Sequence, residues 1–225
     1  MHMNIALDGP VGAGKSSIAD EVARRLSILH LDTGAMYRAA AIAVLRAGIE
    51  PCDEQAVTRL VETLCVEAIY AGGQQRTLLN GEDVTDLLRA PEVSLAASTV
   101  AKWPGVRCRM VQAQRAMAEK NDMLIDGRDI GTRVLPEARV KIFLTAEDTV
   151  RAQRRWLQLR AQGTEMPLEQ VLSELRARDR QDRCRAVDPL CAAKDAILVD
   201  STHLDEEQTV QAILDVVEAH YGKRA

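Results

Sequence analysis

Short apolar runs alternate with longer amphipathic stretches along this chain. Residues 4–8 (Asn-Ile-Ala-Leu-Asp) form the first run, and glycine punctuation then gives way to a helical pattern from about Lys15 to Leu26. A second run, 28–31, ends at Asp32, and the Ala-rich helical stretch Gly34 to Arg46 is stopped by Gly48 and Pro51. Another helix is expected over 53–64. The texture changes over 65–81, where β-type residues flank Gly72-Gly73 and Asn80-Gly81 follows, which predicts a small antiparallel insertion. Helical patterns return over 91–101 and 104–119. Met123–Asp126 and Val140–Thr145 read as buried strands, with charged helical patterns over 147–161 and 167–183. A last strand (Ala196–Asp200) and a last helix (205–219) complete the pattern. Strands alternating with helices predict an α/β fold with a parallel sheet covered on both faces. Binding sites on such sheets lie beyond the carboxyl ends of the strands.

Composition narrows the classes. At 225 residues, 47% hydrophobic and 28% charged, the chain is globular rather than disordered, collagen-like or disulfide-built. Aromatics are 3%, too few for a platform that stacks single-stranded nucleic acid. The net charge of −4 argues against wrapping nucleic acid or coating an anionic membrane. Charge is uneven, however: residues 151–185 hold nine Arg and no Lys against five acids. Such a cluster on an acidic protein suits a small anionic ligand, although a solvated helix face accounts for the composition equally simply. No apolar run of membrane-spanning length occurs, and no basic leader precedes the first strand, so a cytoplasmic protein is expected. The five cysteines are odd in number and lack CxxC spacing, which fits a reducing compartment.

Chemistry concentrates at strand ends. Gly9-Pro10-Val11-Gly12-Ala13-Gly14-Lys15-Ser16 fits G-x-x-x-x-G-K-[ST] between a strand and a helix, the context in which backbone N–H groups cradle phosphate. Lys15 then reaches the β- and γ-phosphates, and the Ser16 hydroxyl is placed to ligate Mg²⁺. Asp32-Thr33-Gly34-Ala35-Met36-Tyr37-Arg38 brings a hydroxyl, a phenol and a guanidinium to a helix start, a phosphate site unless Thr33 merely caps the helix and Tyr37 packs. Asp126-Gly127-Arg128-Asp129 ends a strand, with Asp126 placed like the carboxylate that organises Mg²⁺ water and Arg128 and Asp129 beyond it. A structural salt bridge is the plainer alternative there. Arg178, Asp182 and Arg185 recur at i, i+4, i+7, giving one helix face with two guanidiniums flanking a carboxylate. That face either grips a phosphate or sugar or satisfies itself as an ion-pair ladder. The four histidines fall outside all of these motifs.

GPVGAGKS, LDTGAMYR, LNGEDVTDLLR, DGRDIGTRVLP and RDRQDRCRAVDPL, in this order and spacing, resemble bacterial cytidylate kinases over essentially the whole chain. The resemblance implies the P-loop nucleoside-monophosphate kinase fold: a five-stranded parallel core, a small antiparallel acceptor-binding insertion and a helical lid. It places the core at approximately 1–62, 104–150 and 186–225, the insertion at 63–103 and the lid at 151–185. It implies Mg²⁺-dependent transfer from ATP to CMP or dCMP. Carried over position by position, Gly9 to Ser17 (Pro10, Val11, Gly12, Ala13, Gly14, Lys15 and Ser16 between them) bind ATP phosphates. Thr33, Tyr37 and Arg38 hold the acceptor nucleotide, while Ser98, Arg107 and Asp129 fall where cytosine is read. Arg128 and Arg185 fall at the CMP phosphate, and Arg178 and Asp182 at the sugar. Arg151, Arg154, Arg155 and Arg160 fall in or beside the lid, with Arg155 expected at the transferring phosphate together with Lys15, Arg128 and Arg185.

Phosphoryl transfer to an already anionic acceptor needs in-line positioning and neutralised charge rather than a strong base. Competing readings are another small-molecule P-loop kinase acting on UMP or a sugar acid, and an ATPase module with a conformational output. A nucleic-acid binder using the Arg cluster is a third. The expectation is a monomer with small-molecule substrates and no membrane or nucleic-acid partner.

Overall fold

The computed structural model describes residues 2–71, 74–161 and 163–222. In chain order the elements are β1 (Asn4–Asp8), α1 (Lys15–Leu26), β2 (Leu29–Asp32), α2 (Thr33–Arg46), α3 (Glu54–Glu62), β3 (Val66–Ala71), β4 (Gln74–Leu79) and β5 (Glu82–Asp83). They continue as α4 (Pro91–Val100), α5 (Pro104–Ala118), β6 (Met123–Gly127), β7 (Val140–Thr145), α6 (Asp148–Ala161), α7 (Leu168–Cys184), β8 (Ile197–Asp200) and α8 (Glu206–Tyr221). One sheet has five strands in the order β2-β6-β1-β7-β8, and a second has three, β3-β4-β5. By internal contacts the chain divides into two compact units, one spanning 29–122 and one formed by 3–28 with 123 onward.

In the second unit β6, β1, β7 and β8 run parallel, with Asp8 opposite Gly127 and Phe143, and Thr145 opposite Asp200. The register aligns the carboxyl ends, so the loops after β1, β6, β7 and β8 leave the sheet along one edge. Every residue of β6 is buried, as expected of an interior parallel strand, and its apolar start Met123–Ile125 leads into the buried carboxylate of Asp126. Ile5, Leu7, Leu124, Ile142 and Leu144 pack against Ile18 and Val22 of α1 and against Val210, Ile213 and Val217 of α8. Helical spacing explains those partners, since each helix turns one apolar stripe to the sheet. The Asp205 side chain accepts from the Gln208 N–H while the Gln208 side chain accepts from the Asp205 N–H, which fixes the start of α8. A smaller cluster of Ala152, Val171 and Leu175, with Val11 and Trp156 against it, joins α6 to α7 and to the glycine loop.

In the first unit α2 packs on α4, and α3 on α5. Asn80 and Gly81 both have positive φ, 50° and 86°, as a two-residue hairpin turn between β4 and β5 requires. The expected Gly72-Gly73 turn lies outside the described residues. Two features were not expected: a single 3₁₀ turn at Thr85–Leu87 and a π-type turn at Ile130–Val134. The five cysteines are exposed and unbridged. Among the described residues no helix is long and apolar enough to cross a membrane.

Candidate active site

The second unit builds a phosphate cradle from Gly9 to Ser17. A Cβ on Gly9 would lie 2.0 Å from the Leu144 carbonyl oxygen, so only glycine lets the chain leave β1 this close to β7. Gly12 has a φ of +74°, and its Cβ would meet Leu175 and Arg151. Gly14 caps α1 in the left-handed region with no side-chain cap hydrogen bond, so the N-terminal turn of α1 has the backbone geometry of an anion site. Lys15 is 6% exposed, and its Nζ donates to the Pro10 carbonyl at 2.9 Å. Burial, and then the neighbouring Arg128 cation, pull its pKa from 10.5 down to about 7, against the opposing pull of Asp126 and Asp8.

The Ser16 hydroxyl donates to Asp126 Oδ2 at 2.8 Å. These are two hard oxygen donors, one a buried carboxylate, and that donor chemistry suits Mg²⁺. Among the described residues no group of three or more His, Cys, Asp or Glu side chains is placed to hold a metal by itself.

Asp8, the last residue of β1, accepts from the Ile130 and Gly131 N–H groups at 2.8 and 2.7 Å. It thereby anchors the π-type turn that follows Arg128 and Asp129. Burial pushes its pKa from 3.8 up to about 6, although both backbone donors oppose the shift. Arg128 Nε donates to Asp182 at 3.0 Å. Arg185 donates from Nε to the Asp188 carbonyl at 2.8 Å, and its Nη2 lies 3.5 Å from Asp129. The helical i+7 placement expected of Arg185 is not what forms. Helix α7 ends at Cys184, and Arg185 is the extended C-cap, so the backbone turns and sends the guanidinium toward Asp129. Arg178 and Asp182 stay on the helix, half-buried and buried respectively.

The lid arginines separate into distinct roles. Arg155 is exposed, donates to Gln158 at 2.7 Å, and lines a cavity of about 400 Å³ together with Gly12, Ala13, Gly14, Ser17 and Arg154. Arg154 straps the loop after β8, reaching the Ser201 hydroxyl and the Ser201 and Leu204 carbonyls. Arg160 stacks over Trp156, 4.7 Å from the ring centroid. Arg151 is buried and bonds to the Ala146 and Val11 carbonyls and to Asp179.

In the first unit the cap of α2 is Asp32, not Thr33: its carboxylate accepts from the Ala35 N–H at 3.1 Å. Asp32 also accepts from Arg38 at 2.7 Å, and its own N–H donates to Gln75 of β4 at 2.8 Å. Thr33 is buried at the first helical position. The Arg107 guanidinium, 2% exposed, sits 5.7 Å from the centroid of Tyr37 and donates to the Ala101 carbonyl at 3.3 Å. Ser98 is half-buried on α4, whereas the neighbouring Thr99 hydroxyl is turned back onto the Leu95 carbonyl. The sequence pattern did not single out Asp8, Gln75 or Asp179. Asp8 carried a usable signal, a carboxylate closing an otherwise apolar strand, whereas the partners of Gln75 and Asp179 are set only by the tertiary fold.

The chain is similar to known proteins along nearly its whole length. The chain is 46% identical over 217 residues to the cytidylate kinase of Desulforamulus reducens, covering 96% of this chain and 97% of the relative. It is 44% identical over 214 residues to that of Caldicellulosiruptor bescii, covering 95% of each. A solved structure of an uncharacterized protein from Eubacterium ventriosum superposes with a TM-score of 0.54 at 12% identity, covering 97% of this chain and 99% of that one, a likeness of fold alone. The family model described as cytidylate kinase matches residues 5–219, which takes in the glycine cradle, the Ser16–Asp126 pair and the arginines beyond them. With all but the extreme termini inside that match, the chain belongs to the cytidylate kinase family.

Proposed function

We propose that this protein transfers the γ-phosphoryl group of ATP to CMP or dCMP, giving ADP and CDP or dCDP, with Mg²⁺ as cofactor. The observation that carries the donor half is Lys15, an ammonium enclosed beneath a glycine loop and desolvated until its pKa falls to about 7. A cation held in that way is stabilised by a polyanion, and the N–H groups of the loop converge on the same ligand. Membership of the cytidylate kinase family supports the acceptor half.

In this reading the Ser16 hydroxyl would ligate Mg²⁺ and Asp126 would hold its coordinated water, and the ion when bound would supply positive charge to the phosphate oxygens. Lys15 neutralises the β- and γ-phosphates, and Arg128, Arg155 and Arg185 neutralise charge on the transferring group and the acceptor phosphate. The nucleophile is a CMP phosphate oxygen, anionic at neutral pH, so no general base is assigned. Thr33, Tyr37 and Arg38 position CMP, and Arg178 and Asp182 take its sugar. Ser98, Arg107 and Asp129 read cytosine, Asp129 accepting from the 4-amino group and Arg107 donating to the ring carbonyl. Uracil would set its O4 against that carboxylate, a mispairing worth about 1–3 kcal/mol. The insertion at 63–103 contributes Ser98 to the acceptor site, and the segment 151–185 acts as a lid that excludes water from the transferring phosphoryl group.

The test is an ADP-release assay with CMP, dCMP, UMP and AMP offered in turn. CMP and dCMP are expected to drive release. A preference for UMP, or release that ignores the acceptor, overturns the reading.

A further inference from the structure

Two consecutive peptide units at the tip of the glycine loop are held by charged side chains on every polar atom but one. In the Pro10–Val11 peptide, the carbonyl accepts from Lys15 Nζ at 2.9 Å and the N–H donates to Asp179 Oδ1 at 3.2 Å. In the Val11–Gly12 peptide, the carbonyl accepts from Arg151 Nη1 at 2.7 Å. The same Nη1 donates to Asp179 Oδ2 at 2.7 Å, and Arg151 Nε donates to the Ala146 carbonyl at 2.9 Å. Arg151 and Asp179 are 5% and 7% exposed.

We propose that Arg151 and Asp179 are positioning residues for the phosphate donor, fixing the Val11 peptides and through them the Lys15 ammonium. The inference rests on the reading of the glycine loop as the ATP site. Three physical points favour it over a plain bolt between α6 and α7. Burying an ion pair is costly, and an apolar pair of similar volume holds two helices together at least as well. What an apolar pair cannot do is orient a peptide, and here both the N–H and the C=O of Val11 are engaged. Val11 also sits among Gly9, Gly12 and Gly14, all with positive φ, and glycine loses more conformational freedom on ordering than any other residue, so this loop has freedom that needs restraining.

The mechanical link to the chemistry is one peptide long. Lys15 grips the carbonyl, and Asp179 the N–H, of the same Pro10–Val11 unit. Rotation of that unit about its flanking bonds removes the Lys15 anchor and the Asp179 bond together. Gly12 follows directly, and a Cβ added there would lie 3.3 Å from Arg151 Cβ and 3.1 Å from Leu175 Cδ1, so the loop backbone runs close against both α6 and α7. Arg151 lies on α6 and Asp179 on α7, so the loop geometry is set from the arginine-rich segment.

The experiment compares wild type with Asp179→Asn, Arg151→Lys and the apolar pair Arg151→Met/Asp179→Leu. The single substitutions are expected to raise KM for ATP and Kd for ADP by about tenfold or more, with KM for CMP within about twofold. The apolar pair decides the case, because it removes the buried charge as well as the peptide bonds. Its melting temperature is expected within a few degrees of wild type, and its ADP affinity as low as that of the single variants. An apolar pair that folds and binds ADP as tightly as wild type overturns the proposal, as does a loss shared equally by ADP and CMP. Calorimetric titration with ADP does not depend on turnover. If wild type fails to phosphorylate CMP, the functional reading fails while the positioning role is still decided.

Discussion

Ser16, at the start of α1, and Asp126, near the end of β6, meet through a hydrogen bond of 2.8 Å across 110 positions of chain. Parallel pairing of β1 with β6 produces this contact, since the register that sets Leu7 opposite Asp126 brings both strand ends to the same edge. If this hydroxyl and carboxylate hold a magnesium nucleotide as proposed, Ser16→Ala and Asp126→Asn are expected to raise the Mg²⁺ concentration for half-maximal rate by about tenfold or more. Ser16→Thr, which keeps the hydroxyl, should stay near wild type. A magnesium titration of initial rate measures this, and unchanged half-saturation in both deletions argues against the metal assignment.

If Lys15 meets the ATP phosphates as proposed, ATP binding is expected to be proton-linked. Burial and the neighbouring Arg128 cation pull its pKa down to about 7, and a bound polyphosphate should restore its affinity for a proton. Binding at about pH 8 should therefore take up protons, and affinity should fall as pH rises beyond about 7. The stability term runs the other way. Between about 7 and 10.5 the unfolded chain holds a proton on this lysine that the folded chain does not, so its contribution to stability rises with pH in that window. Calorimetry of ATP binding in two buffers of different ionisation enthalpy reads the uptake directly, and identical heats in both buffers contradict it.

How much of this was legible beforehand differs between the two kinds of contact. The glycine loop, the strand ends and most element boundaries follow from local pattern, because apolar runs and helix periods are written in consecutive residues. Partner choice is not. Arg151 belongs to the arginine-rich segment that the motif reading aimed at phosphate, yet it is buried beneath the loop, because only the assembled unit brings α6, α7 and Val11 together. Arg185 continues a helical spacing on paper, but α7 ends one residue earlier. Thr33 stands where a cap is expected, but the residue before it has the stronger acceptor, and Asp32 takes the role.

Asp8 predicts an acid-side signature. Its folded pKa of about 6 exceeds the ordinary 3.8, so between those values the folded chain binds the proton that the unfolded chain has released. Stability from this group is therefore lost as pH rises from about 4 to 6, by up to about 3 kcal/mol. Asp8→Asn cannot titrate, so the stability difference between wild type and variant should shrink or turn against wild type over that interval. Urea unfolding at a series of pH values tests this, and a difference independent of pH refutes it.

Cytosine selectivity is expected to rest on Asp129 and Arg107. Asp129→Ala should lower CMP turnover and narrow the CMP-to-UMP preference by roughly 5- to 150-fold, the equivalent of one buried polar mispairing. Steady-state kinetics on both nucleotides measure the ratio, and an unchanged preference removes Asp129 from the base site.

Arg185→Lys separates charge from geometry. Lysine keeps the positive charge but lacks the planar fork that spans Asp188 and Asp129. KM for CMP should rise while KM for ATP stays near wild type, and an equal effect on both places Arg185 elsewhere.

The central claim is that the terminal phosphoryl group of ATP moves onto the phosphate of a cytidine nucleotide. Phosphorus NMR of the protein with ATP, Mg²⁺ and CMP follows that transfer directly. The account predicts that ADP and CDP resonances grow in equal amounts while the CMP signal declines. Growth of inorganic phosphate with CMP unchanged would contradict it.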